Sequence, residues 1–299
     1  MRLYAALITL SLIWGMSFYF IKVLVEGLGP WGIVFVRCTL GVVTLAVIIL
    51  IQRKKGLPLK SLLIVGCMNA LIPWGLIGIS ETRISSALAS MVNATTPIFT
   101  SIIGVLLFSV VLNIRQWTGI FIGFAGILLL TDLNIAQLFQ EDLIGMGTMI
   151  LATVCYGFSS QYSKRYLQDV SVMMVALMTL LTGAIGSLVV MAITDSFFPL
   201  HEMIAWNSVF AMVGLGVFGS GLAYLLFYYL IKEGSAEFAT FVTYLVPITA
   251  MFWGWFLLDE QIPPLAIGGL ALILAGVFLS TRKTVKKLPA GDHAVSSAK

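Results

Sequence analysis

Charge is what this sequence has little of. Only 10% of its 299 residues are Asp, Glu, Lys or Arg, against 60% apolar. A water-soluble domain runs nearer ~25% charged and ~45–50% apolar. Too few charges remain to cover a water-facing surface, so soluble, secreted and disordered classes are excluded. Cysteine is scarce too. Cys38, Cys67 and Cys155 are odd in number, form no C-x-x-C and sit in or beside apolar runs, which excludes a disulfide framework and a zinc ribbon. Histidine is limited to His201 and His293, both outside the apolar runs, and no Asp or Glu lies at the middle of one. Haem and zinc ligation are excluded, and so is an aspartyl protease working inside the membrane. The Gly157-Phe158-Ser159-Ser160 stretch looks like a serine-protease motif, but it has no base within reach of the serine. No cofactor, no metal and no enzymatic chemistry are expected.

What is there is a series of long uncharged windows, most close to the roughly 20 residues that a helix needs to cross ~30 Å of hydrocarbon. They do not alternate in the manner of β-barrel strands. The fold class is all-α, a polytopic membrane protein of ten transmembrane helices. The spans are placed at 3–24, 30–51, 61–80, 85–111, 116–131, 143–165, 171–193, 207–231, 236–258 and 263–281. Met1 and Arg2 precede a run that extends to Ile21 without a small-residue cleavage site, so it reads as a retained first span. The net charge of +4 does not signal nucleic acid. Fourteen of the seventeen bases fall on one side, in loops and at the two ends, among them Arg53, Lys54, Lys55, Lys60, Arg115, Lys164, Arg165 and Lys232. By the positive-inside rule both termini are cytoplasmic. The expected location is the cell (inner or plasma) membrane.

The chain also repeats itself. At an offset of 150, Ser85, Ala89, Pro97, Gly104, Gly119 and Gly126 match Ser235, Ala239, Pro247, Gly254, Gly269 and Gly276. At an offset of 142, Gly15, Ser17 and Lys22 match Gly157, Ser159 and Lys164. Five spans per unit is odd, so the second unit enters the membrane from the opposite side. Two inverted five-helix repeats of this kind are the architecture of many secondary transporters.

These residues carry a family likeness. Trp14-Gly15-x-Ser17-Phe18 in span 1, Arg37-x-x-Leu40 in span 2 and Ser85-Ser86-Ala87-x-Ala89 … Pro97 in span 4 belong to it. So do Ser235-Ala236-x-x-Ala239 … Pro247 in span 9, Asp259-Glu260-x-Ile262, and Gly269 … Ala275-Gly276. Over 3–281 the sequence resembles the EamA family of the drug/metabolite transporter superfamily. It departs from the family after span 4, where Ser109-Val110 replace Gly-Glu-like residues. The resemblance implies an exporter-like carrier, with a central cavity between spans 1–4 and 6–9 and with spans 5 and 10 bracing the outside. Residues 1–135 form the first repeat and 136–281 the second, inverted one. Residues 282–299 are a basic, disordered cytoplasmic tail.

Candidate functional residues follow from burial cost. Pro97 and Pro247 free the carbonyls of Asn93 and Thr243, and a freed carbonyl must face protein or a wet cavity. Both prolines are taken as hinges. Polar and aromatic side chains at helical spacing mark the other cavity faces. The set is Trp14, Ser17 and Arg37; Asn69 and Trp74; Asn93; Tyr156 and Ser160; Tyr224 and Tyr228; and Thr243 and Tyr244. Arg37 is a base well inside a span, hence a functional candidate. The alternative is an ion pair closing the outer mouth with Glu26 or Glu81. Gly119-x-x-x-Gly123 permits close helix approach within the chain, with a homodimer as its alternative use. The expected partners are a small-molecule substrate and the lipid bilayer. The function expected is a secondary transporter exporting small amphipathic metabolites such as amino acids by alternating access. A channel or lipid scramblase is the alternative. With acids only at span ends, transport is expected to follow the substrate gradient without proton coupling.

Overall fold

The computed structural model describes residues 2–49, 58–130, 142–199, 204–258 and 264–281. Several features read from the sequence lie outside the described residues: Arg53, Lys54 and Lys55; Asp132, Glu141, Glu202, Asp259 and Glu260; His201; and the tail from Arg282. Every regular element among the described residues is helical. The first half holds α1 (Arg2–Gly15), α2 (Ser17–Ile49), α3 (Leu59–Gly66), a π-helical turn (Cys67–Leu71), α4 (Ile72–Glu81), α5 (Ser86–Asn93), α6 (Thr96–Phe108) and α7 (Ile114–Leu130). The second holds α8 (Leu143–Tyr166), α9 (Val172–Thr194), α10 (Trp206–Val213) and a second π-helical turn (Gly214–Leu222). After it come α11 (Ala223–Glu233), α12 (Ala236–Thr240), α13 (Val242–Leu258) and α14 (Pro264–Thr281).

Among the described residues, seven helical segments are long and apolar enough to cross a bilayer. The first is 45 residues long, Arg2–Ala46. Straight, it would measure ~68 Å, over twice the hydrocarbon thickness. It bends at Gly29 (φ 66, ψ 170), a backbone region that glycine alone enters freely, and Pro30 starts the next helical stretch. The first two expected spans therefore share one segment. The fifth and tenth fall on the shorter apolar helices Ile114–Leu129 and Ile267–Ser280.

The burial pattern is inverted relative to a soluble protein. Leu106, Val111, Ile114 and Ile193 are 74–90% exposed on the outside. Asn69, Ser80, Thr100, Thr153 and Thr179 are buried inside. Hydrocarbon outside accounts for both, because it accepts apolar side chains and offers nothing to a hydroxyl.

The two halves are interleaved, and the helix pairs in most extensive contact all join one half to the other: α7 with α14, α2 with α9 and the second π turn, α6 and α4 with α8, and α1 with α13. Glycines set the approach. A Cβ on Gly41 would meet Leu180 and Ser220, and one on Gly183 would meet Cys38 and Ala70. On α7, Gly119 faces Gly276 and Ser280, Gly123 faces Tyr244, and Gly126 faces Gly269 and Ile273. The G-x-x-x-G face of α7 is thus occupied within the chain. At α1, Thr249 Oγ1 donates to the Ser11 carbonyl (2.7 Å) and Trp253 Nε1 to that of Leu12 (3.0 Å).

Asp142 starts α8 by accepting from the N–H groups of Ile144 and Gly145, and it pairs with Arg83 at 3.0 Å. The Gly145 N–H above all, with Arg83, holds its carboxyl below the usual carboxylate range. Whatever this exposed cap contributes is present at neutral pH and is lost as pH falls through that lowered value.

Gly276 tests this packing. Its added Cβ would strike the backbone of Gly123 and Gly119, which cannot swing aside. Gly276→Val should cost ~1–3 kcal/mol by overpacking and lower the unfolding temperature in detergent. Gly147→Ala, where no atom lies within 4 Å of the added carbon, should leave it unchanged or raise it. Thermal unfolding of the three proteins checks this, and equal stability would contradict the tight α7–α14 contact.

Candidate functional site

Between the halves lies a cavity of about 60 Å³. Trp14 from α1 and Ser17, Phe18 and Ile21 from the start of α2 line it at helical spacing. Arg37 enters from α2, Trp74 and Ile77 from α4, and Asn93 and Thr96 from the α5–α6 junction. The second half supplies Tyr156 from α8, Phe227 from α11, and Thr240, Thr243 and Val246 from α12 and α13.

Arg37 is 4% exposed. Its Nε donates to Ser220 Oγ at 3.0 Å, and its guanidinium carbon lies 3.5 Å from the centre of the Trp74 ring. Away from water such a cation–π contact is worth ~2 kcal/mol. Ser220 sits in the second π turn, where its hydroxyl donates to the Leu215 carbonyl five residues back. π turns widen a helix locally and recur at functional sites. Here one of them turns Ser220 toward the first half. Arg37 makes no ion pair among the described residues, where the one salt bridge is Arg83–Asp142. Glu26 is exposed just before the Gly29 bend of the first segment. Glu81, at the end of α4, is fully buried, and its backbone carbonyl accepts from Lys22 Nζ at 3.1 Å.

An aromatic cluster backs the cavity. Trp14 lies 5.4 Å from Phe227 and 6.4 Å from Tyr224, Trp74 lies 5.2 Å from Tyr224, and Tyr224 lies 5.6 Å from Tyr228. Trp14 Nε1 donates to the Gly219 carbonyl at 3.0 Å. Tyr224 donates to the Asn69 carbonyl at 2.7 Å, Asn69 Nδ2 donates to the Tyr228 hydroxyl at 2.8 Å, and that hydroxyl also meets Thr179 Oγ1 at 2.8 Å. Asn69 occupies the first π turn, as Ser220 does the second.

Of the twelve cavity residues expected from sequence, Trp14, Ser17, Arg37, Trp74, Asn93, Tyr156 and Thr243 line this space. Asn69, Tyr224 and Tyr228 stand behind it, bonded to one another. Tyr244 points elsewhere: it is fully buried against Gly123, and its hydroxyl donates to the Ile120 carbonyl at 2.8 Å. One residue is ~100° of helix, so Thr243 and Tyr244 cannot share a narrow face. Ser160 is buried without a hydrogen-bond partner and outside the lining. The Asn93 carbonyl accepts from the Thr96 hydroxyl at 2.6 Å, so its own chain satisfies it. In the second half the helix is interrupted at Phe241, and Pro247 lies inside α13.

Sequence reasoning missed Phe18, Ile21, Ile77, Thr96, Phe227 and Val246 as lining residues, and it left Thr240, on the polar stripe of span 9, out of the cavity set. The signal was there. Each lies three or four residues from a recognised one, so the stripes extend by one helical turn. The threonines bond back to their own helices: Thr96 to Asn93, Thr240 to Ala236 and Thr243 to Thr240. Ser17 Oγ and Asn93 Oδ1, by contrast, are buried with no partner. They are the wall's unused hydrogen-bonding capacity.

The EamA-like transporter family matches residues 1–132 and 143–282. YedA, named as an uncharacterized inner membrane transporter of Escherichia coli (strain K12), is 29% identical over 288 residues, 93% of this chain and 90% of its own. A protein of Streptantibioticus cattleyicolor named "probable terminal-alkyne amino-acid exporter" is 25% identical over 288 residues, 94% of this chain and 93% of its own. A solved crystal structure, 16% identical, has a TM-score of 0.74 over 94% of this chain and 96% of its own, a likeness of fold.

The division between wall and backing is measurable. Tyr228→Phe removes the acceptor of Asn69 and the partner of Thr179, at ~1–3 kcal/mol for polar groups left buried, and should lower the unfolding temperature. Asn93→Ala removes an oxygen that bonds nothing and should leave that temperature within about a degree or two. Thermal unfolding of both variants decides it. An Asn93 variant as unstable as the Tyr228 one would make Asn93 part of the frame.

Proposed function

The chain belongs to the EamA-like transporter family and is a multi-pass membrane transporter, and from that premise we propose a secondary carrier that exports small amphipathic metabolites, amino acids and related compounds among them. The observation that carries this reading is the cavity itself. It draws on both halves and combines aromatic faces, one guanidinium and two unused polar atoms. The name of the S. cattleyicolor relative points the same way. Export follows from the higher metabolite concentration inside the cell. No acid lines the cavity, so movement follows the substrate gradient.

The proposed mechanism is alternating access by rocking of two inverted five-span units, with Pro97 and Pro247 as bending points. Four correspondences support the repeat. Ser85 and Ser235, paired at offset 150, both cap helices by accepting from the N–H three residues on. A π turn interrupts the third span of each unit. Lys22 and Lys164, paired at offset 142, each reach the carbonyl end of a helix: Lys22 that of Glu81, Lys164 those of Lys232 and Gly234. Gly41 and Gly183, at the same offset, let α2 and α9 cross. Inversion would put the two lysine contacts near opposite faces, where each closes one end of the path.

Two measurements test this. Proteoliposomes loaded with unlabelled leucine or phenylalanine should take up the labelled compound faster than empty ones, whether or not a pH gradient is imposed. A channel or scramblase gives no such counterflow, and accumulation driven by the pH gradient would contradict gradient-following export. In a cysteine-free background, Lys60→Cys should react with an impermeant maleimide only from the cytoplasmic side and Arg83→Cys only from outside. Labelling from one common side would overturn the topology.

A further inference from the structure

Arg37 breaks the repeat that its surroundings obey. Its counterpart at offset 142 is Thr179, a neutral residue whose hydroxyl meets Tyr228 at 2.8 Å. The neighbouring helix crossing is otherwise matched: Gly41 packs on Leu180 where Gly183 packs on Cys38. The second unit builds this crossing without a charge, so the fold does not require one.

The charge also has no acidic partner among the described residues. Arg37 is 4% exposed, and its partners are a neutral hydroxyl through Nε and the Trp74 ring. No residue lining the cavity is acidic. A buried cation without a counter-charge is costly, and the two terminal nitrogens form the planar fork that grips a carboxylate. One cation calls for one negative charge, which disfavours a pyrophosphate or dicarboxylate. Asn93 Oδ1, an acceptor with no partner, suits an N–H on the same cargo. Trp14, Phe227 and Ile77 offer the hydrocarbon wall.

We propose that Arg37 makes a single carboxylate the obligatory recognition group of the cargo, so that the protein takes small apolar monocarboxylates, with or without an amine, and rejects amines of the same shape. This rests on the carrier reading above and narrows its substrate class.

The test is equilibrium binding to the full-length protein in detergent, read by intrinsic tryptophan fluorescence, to which Trp14 and Trp74 in the cavity wall contribute. Two matched sets, each sharing one side chain, serve as probes. One is phenylalanine, 3-phenylpropionate and 2-phenylethylamine; the other is leucine, 4-methylpentanoate and 3-methylbutylamine. In at least one set both carboxylates should bind at least about tenfold more tightly than the amine. Arg37→Gln should erase the difference, while Arg37→Lys should keep its sign at lower affinity. The ranking on the unaltered protein stands even if a variant fails to fold. Amines binding as well as acids, no binding by any probe, or a folded Arg37→Gln protein with the ranking intact would each overturn the inference. Counterflow separates it from the carrier reading. Exchange of 2-phenylethylamine but not phenylalanine would keep the carrier and sink the carboxylate rule. Tight carboxylate binding with no counterflow would keep the rule and sink the carrier.

Discussion

Hydrocarbon offers no water to take up an unused hydrogen bond. Each polar group in this chain must find its partner inside the bundle, and the architecture can be traced to that demand. The threonines around the cavity answer it locally, folding their hydroxyls back on carbonyls three or four residues away. The tyrosines answer it across the bundle. Tyr224 and Tyr228 tie the second unit to Asn69, and Tyr244 ties α13 to α7. What remains unanswered is confined to a few places, and two of them, Ser17 and Asn93, face the cavity.

Satisfying polar groups between helices requires the helices to come close, and that is the task of the small residues. Where Gly41, Gly183, Gly119 and Gly276 stand, a single added carbon would meet a neighbouring side chain or backbone. The partners so brought together belong to opposite halves. The cavity is therefore not a cleft between two independent domains but a gap left in one interleaved bundle. The proposed rocking of the two units would have to slide these contacts together, as small shifts of packed helices do.

The π turns show how a local irregularity serves a distant site. An α-helix carries one side chain every ~100°, and an inserted residue resets that angle. The two turns deliver Asn69 and Ser220 to the interior. One holds the tyrosine cluster that backs Trp74, and the other holds Arg37 in place over the same ring. Arg37 is thereby fixed by contacts from both halves.

Composition and periodicity alone determined the all-helical membrane class, because too few charges cannot dress a soluble surface. The sequence repeat already paired Lys22 with Lys164 and Ser85 with Ser235. Seven of the expected cavity residues were also legible, since Trp14, Ser17, Asn93 and their like are costly to bury and lie on stripes at helical spacing. Tertiary structure decided the rest. Tyr244 is as polar and as central as Thr243, and only the void left by Gly123 on another helix turns it away from the cavity. Asn69 and Tyr228 have the same composition as cavity residues, yet they spend their hydrogen bonds on each other. Spacing along one helix fixes which residues share a face. It does not say which neighbour that face meets, and in a bundle without water the neighbour determines whether a polar side chain is structural support or is free for a ligand.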